Sequence, residues 1–129
     1  MFACAMYPTS PDFLATVKEE IETQVHRLQS HPSIAIWAAN NENEAALRGN
    51  WYGTARNFSL YQKDFIKLYV GTVQKWVVQF DPSRPFLTSS PTNGIQSEKE
   101  GWVAQNPYSP IYGDCEQAQR KPKYAREYY

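Results

Sequence analysis

The sequence is short of cysteine, of net charge and of long apolar runs, and each shortage removes a class of protein. Cys4 and Cys115 are too few for a disulfide scaffold or a cysteine-based metal knuckle. Thirteen basic against thirteen acidic residues leave a formal net charge of zero, so no basic surplus argues for nucleic acid. No apolar run reaches the roughly 20 residues that a membrane-spanning helix needs. A positively charged segment followed by an apolar one, the mark of a secretory leader, is not visible either. What is left is the ordinary balance of a globular domain, 42% hydrophobic and 20% charged. The chain is one domain's worth at most. Aromatic residues, at 15%, are plentiful. Trp and Tyr are common in carbohydrate sites, although a packed aromatic core accounts for most of them.

One stretch organises the rest, His31-Pro32-Ser33-Ile34-Ala35-Ile36-Trp37-Ala38-Ala39-Asn40-Asn41-Glu42-Asn43-Glu44. Ile34 to Trp37 is a continuous apolar run rich in β-branched and aromatic residues, the composition of a strand buried on both faces of a parallel sheet. Asparagines and glutamates follow at once, which places them at the carboxyl end of that strand. In α/β barrels and open α/β sheets, ligands bind and catalysis takes place at that end. Ala45-Ala46-Leu47 then reads as a short helical turn ended by Gly49.

The flanks repeat the alternation. Phe2-Ala3-Cys4-Ala5 is a small apolar run. Ser10 suits an N-cap, Pro11 the first helical position and Asp12 the first turn. Leu14, Val17, Ile21, Val25 and Leu28 recur at helical spacing, which predicts a helix over about 11–29. Residues 51–59 read as loop, with Asn57-Phe58-Ser59 a glycosylation sequon that matters only in a secretory compartment. From about Leu60 a second helix buries Phe65, Leu68, Tyr69, Val73, Trp76, Val77 and Phe80, and Asp81-Pro82 ends it. Phe86 to Ser90 is a short strand, and Pro91 to Gly94 is a polar turn on the side of Glu42. Strand, helix, strand, helix, strand suggests a parallel sheet with right-handed crossovers. Ser97 to Glu100 is a candidate helical turn, and Trp102 to Tyr112 an ordered loop. Gln117 to Arg126 is polar, basic and without periodicity, which predicts a frayed tail. His26 and His31 invite a metal or general-base reading. Satisfied surface histidines account for them better, because His26 lies on a helix and His31, extended before Pro32, belongs at the opposite end of the strand.

The motif His-Pro-Ser-Ile-x-Ile-Trp with Asn-Asn-Glu-Asn-Glu after it resembles the surroundings of the acid/base glutamate in glycoside hydrolase family 2, and most nearly its β-mannosidases. Phe2-Ala3-Cys4-Ala5-Met6-Tyr7-Pro8, Arg84-Pro85-Phe86-Leu87-Thr88-Ser89-Ser90-Pro91-Thr92-Asn93-Gly94 and Trp102-Val103-x-Gln105-Asn106-Pro107 agree in order and spacing, over Met1 to about Asp114. The resemblance implies an α/β fold: part of a (β/α)8 TIM barrel, with about three parallel strands and two to three crossover helices in residues 1–114, and a divergent tail at 115–129. The Phe2 run would be the third barrel strand, with its start missing. A whole barrel takes about 250 residues, so the chain is expected to be an incomplete piece of a catalytic domain with the rest of the barrel missing.

The implied activity is retaining hydrolysis of terminal β-D-mannose residues from glycoprotein-derived oligosaccharides, in the lysosome for a full-length member, with no cofactor and no metal. Glu42 is implied as acid/base and Asn41 as the partner of the sugar 2-hydroxyl. Trp51 suits stacking on a sugar ring of the substrate, although core or loop packing accounts for it better. A proton donor near neutral pH needs a raised pKa, which burial against apolar walls supplies. Glu44 is expected to cap or pair locally. The second carboxylate of the family lies in a Ser-Glu-Tyr-Gly setting on a later strand. Arg126-Glu127-Tyr128-Tyr129 echoes only its Glu-Tyr pair, so Glu127 is not taken as the nucleophile. The alternative is a non-catalytic remnant that binds a partner through an exposed apolar face.

Overall fold

The computed structural model describes residues 1–107. The tail expected at 115–129 and Glu127 lie outside the described residues.

Helix α1, Pro11–Leu28, forms where its signals place it. The Ser10 hydroxyl accepts the Phe13 N–H at 3.4 Å, Pro11 fills the first turn, and Val17, Ile21 and Val25 are buried at helical spacing. Strand β1, Trp37–Ala38, pairs in parallel with β2, Phe86–Leu87, in the register Trp37 to Phe86 and Ala38 to Leu87. Parallel bridges extend the pairing, from Asn41 to Ser90 on one side and from Asn40 to Phe2 on the other. Three parallel segments therefore lie side by side with β1 in the middle. Phe2 N–H donates to Ala39 O at 2.7 Å, and Asn41 N–H to Phe2 O at 2.9 Å.

The strand lies later than the apolar run suggested. Ile34 is half-buried and Ile36 is 44% exposed. Ile34 has no backbone groups free for a ladder: its N–H goes to His31 O at 3.2 Å and its carbonyl accepts Arg84 Nε at 2.7 Å. A turn over 31–34 replaces the expected start of the strand.

The second crossover also differs from a plain helix. A 3₁₀ turn, Thr54–Asn57, leads into α3, Phe58–Phe65. The next segment, Ile66–Gln74, is π-helical, and α4 follows at Lys75–Phe80. The wider winding brings the Thr72 hydroxyl to the Lys67 carbonyl five residues back, at 3.0 Å. It still buries Leu68, Tyr69, Thr72 and Val73, so the inward stripe survives the change. The core is formed by α1, the π segment and α4 against Ala39, with Val17, Ile21, Val25, Val73 and Val77 as its centre.

A clasp closes the amino-terminal ends of the strands. Arg84 Nε reaches Ile34 O, Nη2 reaches Gln29 O at 2.9 Å and His31 O at 3.3 Å, and Nη1 reaches Asp81 Oδ2 at 2.6 Å. Asp81 also accepts Trp37 Nε1 at 2.8 Å and the Ser83 hydroxyl at 2.5 Å. The Ser83 hydroxyl, then the Trp37 indole and Arg84, hold the Asp81 carboxyl well below the usual carboxylate range against the opposing effect of burial. His31 sits at this end, exposed, as the sequence placed it.

Candidate active site

At the carboxyl ends of the strands the chain turns sharply. Asn40 closes the sheet against Phe2, Asn41 against Ser90, and Glu42 N–H then donates to Ser90 O at 2.8 Å. Glu42 itself adopts a left-handed conformation, φ 61° and ψ 6°. Such strain costs a non-glycine residue on the order of 1 kcal/mol and persists only where the surroundings fix it. Helix α2, Asn43–Arg48, begins directly after it. The Glu42 side chain is half-buried, and its Oε2 accepts Asn41 Nδ2 at 3.2 Å. Glu42, Asn41 and the turn from Ser90 are thus adjacent.

A buried polar layer fixes this turn from below. Asn40 donates Nδ2 to Thr88 O at 2.6 Å, while its Oδ1 accepts the Asn43 N–H at 3.0 Å and the Ser89 hydroxyl at 2.6 Å. Asn43 Oδ1 accepts Ala5 N–H at 2.9 Å, and its Nδ2 donates to the Tyr69 hydroxyl. Asn40, Asn43, Glu44 and Ser89 are all completely buried. The residues on both sides of Glu42 are therefore pinned to all three parallel segments, which is what holds the left-handed turn.

Glu44 does not pair locally. Its Oε1 accepts the Ser97 hydroxyl at 2.6 Å and Ala104 N–H at 2.9 Å, tying α2 to α5, Ile95–Lys99, and to the loop after it. Arg48, one turn on, grips the same loop from its other side through Val103 O and Ala104 O. Glu44 Oε2 has no hydrogen-bond partner among the described residues; the neighbouring Thr92 hydroxyl is engaged with Ser97 Oγ at 3.3 Å. Burial raises the Glu44 pKa, opposed by Ser97, Ala104 and Thr92 and reinforced by the charge of Glu100. The sequence carried no sign of this role, because the partners lie 53 and 60 residues away.

A pH prediction follows with a definite sign. Because burial raises the folded-state value of Glu44, its contribution is fully present below the ordinary glutamate value of about 4.3 and is lost as pH rises through the folded value. Glu44→Gln keeps an oxygen for Ser97 and Ala104 but does not ionise. Urea midpoints measured from pH 4 to pH 8 should move in favour of Glu44→Gln as pH rises. A gap that moves toward the unsubstituted chain over that range contradicts the assignment.

Trp51 and Tyr52 follow α2 on the surface, 48% and 49% exposed. The Trp51 indole lies against Gly49, where a Cβ would meet Nε1 at 2.5 Å, so glycine is needed there for space. One face of Trp51 thus packs on its own loop while nearly half of the residue stays in solvent. Tyr52, which sequence reading passed over, donates to Cys4 O at 2.8 Å and contacts Cys4 Sγ at 3.4 Å. The Cys4 contact, followed by desolvation and then by the charges of Cys4, Glu42 and Tyr7, pushes its phenol up. Tyr52 and Cys4 are therefore in direct contact near the Glu42 carboxylate. His26 is exposed, with its ring edge-on to Phe80 at 5.1 Å. Among the described residues no group of three or more His, Cys, Asp or Glu side chains could hold a metal ion.

The comparisons with known proteins agree with the geometry. The model of "Glycosyl hydrolases family 2, TIM barrel domain" matches residues 3–129. The protein named beta-mannosidase in Mus musculus is 53% identical over 115 residues, which cover 88% of this chain and 13% of that protein. The probable beta-mannosidase of Caenorhabditis elegans is 44% identical over 116 residues, with the same coverage. A crystal structure of a beta-D-mannosidase from Dictyoglomus thermophilum superposes with a TM-score of 0.70 at 32% identity, over 88% of this chain and 12% of that one. The chain spans about an eighth of the length of the relatives it matches. It belongs to glycosyl hydrolase family 2 and is part of that family's TIM barrel domain.

Proposed function

We propose that this chain supplies the acid/base half of a retaining β-mannosidase site. The observation that carries the reading is the position of Asn41-Glu42. The pair ends the central parallel segment, on the side where barrel enzymes act, and its backbone is fixed by Ser90. Glu42 is the proton donor and Asn41 the residue that holds the sugar 2-hydroxyl. In the first step Glu42 protonates the glycosidic oxygen as its bond to the anomeric carbon breaks, while a second carboxylate attacks that carbon from the opposite face. In the second step Glu42, now ionised, takes a proton from the water that releases the sugar. Asn41 Nδ2 donates to Glu42 Oε2 at 3.2 Å, and with substrate bound it holds the 2-hydroxyl, a contact that strengthens toward the transition state. The half-exposed Trp51 provides an apolar platform for a sugar ring. The substrate class is a terminal β-mannoside of an oligosaccharide, and a mildly acid lysosomal lumen suits a glutamic acid that must carry a proton.

The experiment uses a whole barrel: the Mus musculus relative with its matched 115 residues replaced by those of this chain. Hydrolysis of a β-mannoside, followed by proton NMR, should release β-mannose first. Initial release of α-mannose, or preference for a β-glucoside, overturns the reading. In the same carrier Trp51→Ala should raise KM about 2- to 10-fold with a smaller change in kcat, the scale of one aromatic contact worth about 0.5–1.5 kcal/mol. An unchanged KM with a lower melting temperature would make Trp51 a packing residue only.

A further inference from the structure

The sequon at the start of α3 has no part in the proposed hydrolysis, and the structure leaves it open. We propose that Asn57 is an acceptor for an N-linked oligosaccharide. The chain contains seven asparagines, and only Asn57 is followed at the second position by Ser or Thr, with Phe58 rather than proline between. Asn106 is exposed too but precedes Pro107, and the other five are held in place. Asn40, Asn43 and Asn93 are buried. Asn41 is bonded to Glu42, and the Asn50 Oδ1 accepts Ala55 N–H at 2.7 Å. Asn57 is exposed, and although it stands at the N-cap of α3, with φ −147° and ψ 55°, its side chain makes no capping hydrogen bond. Modifying its amide therefore breaks no contact that holds the fold.

The sequon is also presented as one patch. Ser59 is exposed beside it, whereas Phe58 is half-buried in the core with the Arg48 guanidinium 4.7 Å above its ring. The middle residue anchors the segment and leaves both functional residues at the surface. Leu60, 47% exposed, lies three residues on from Asn57. That spacing places it on the helix side nearest to a glycan at Asn57, so the first sugars would shield an apolar side chain that otherwise faces water.

The transfer takes a lipid-diphosphate-linked oligosaccharide as co-substrate, on the lumenal side of a secretory membrane. Asn57 Nδ2 attacks the anomeric carbon, the bond from that carbon to the diphosphate oxygen breaks with its electron pair leaving on the lipid diphosphate, and Nδ2 gives up one proton. No oxidant or reductant is involved. The proposal is independent of the activity assigned to Glu42.

The test is to express the full chain in a eukaryotic host behind a cleavable secretory leader and to measure its intact mass. A glycan-sized increment is expected, removed by a peptide-N-glycanase that leaves aspartate at position 57. Asn57→Gln and Ser59→Ala should each abolish the increment, and Ser59→Thr should retain it. Both positions are exposed and free of structural hydrogen bonds, so folding does not confound the comparison. A single unmodified mass for the secreted, unsubstituted chain overturns the proposal, as does an increment that survives Asn57→Gln.

Discussion

Glu42→Gln in the whole-barrel carrier is expected to lower kcat for β-mannosides with poor leaving groups by about 10²–10⁴-fold, the usual worth of general acid–base catalysis. The substitution is isosteric, and its amide oxygen can still face Asn41 Nδ2, now 3.2 Å from Glu42 Oε2. The left-handed turn is set by backbone contacts that the variant keeps, above all Glu42 N–H to Ser90 O. Substrate binding itself should therefore change little. The variant loses proton delivery to the departing oxygen and also the base of the second step, so the loss in kcat/KM, which reports formation of the glycosyl-enzyme, should shrink as the leaving group becomes a better one, while kcat stays limited by the second step. Steady-state kinetics on a series of aryl β-mannosides measures this directly. A uniform loss of kcat/KM across the series would mean that Glu42 shapes the site without moving a proton.

Arg84→Ala is expected to be the most damaging change for stability, at about 1–3 kcal/mol, the range for losing charge-assisted hydrogen bonds at partly buried groups. The substitution removes the donor from Ile34 O, Gln29 O and His31 O together, and takes the charged partner from Asp81. These groups join the end of α1, the turn before β1 and the start of β2. Arg84→Lys should recover only part of the loss, because an ammonium cannot fork to carbonyls on three segments. A pH signature accompanies it. The folded-state value of Asp81 is depressed, so its contribution is present above the ordinary aspartate value of about 3.9 and is lost as pH falls through the folded value. The fall in stability on acidification should be shallower in Arg84→Ala, although Ser83 and Trp37 still hold part of it. Urea unfolding at several pH values checks both parts. A loss below about 0.5 kcal/mol, the scale of an ordinary surface change, would contradict the clasp.

Asp81 and Glu44 also separate what the sequence disclosed from what it did not. Ser10, Pro11 and the spacing of Val17, Ile21 and Val25 announce α1 because a helix writes its caps and its buried face into neighbouring residues. The parallel pairing of 37–41 with 86–90 was legible for a similar reason: apolar runs alternate with amphipathic stretches. The beginning of β1 was not, because Arg84, 50 residues away in sequence, takes the Ile34 carbonyl out of any ladder. The π segment was hidden because its inward residues satisfy ordinary helical spacing. Glu44 reads in the sequence as a local cap or pair, and only its distant partners Ser97 and Ala104 reveal a buried tie. Local chemistry is readable from the chain, whereas a polar group buried by tertiary contacts leaves no periodic trace. The roles proposed for Glu42 and Asn41 rest on the resemblance joined to their position at the end of the central parallel segment.

The most direct measurement is the response of Glu42→Ala to azide in the whole-barrel carrier. A dinitrophenyl β-mannoside needs no acid assistance to form the glycosyl-enzyme, but its turnover by the variant should stall for want of a base to activate water. Azide needs no base, so it should restore turnover and yield β-mannosyl azide as the product. Failure of azide to accelerate the variant, or full activity of Glu42→Ala without it, would contradict the assignment of Glu42 as the acid/base residue.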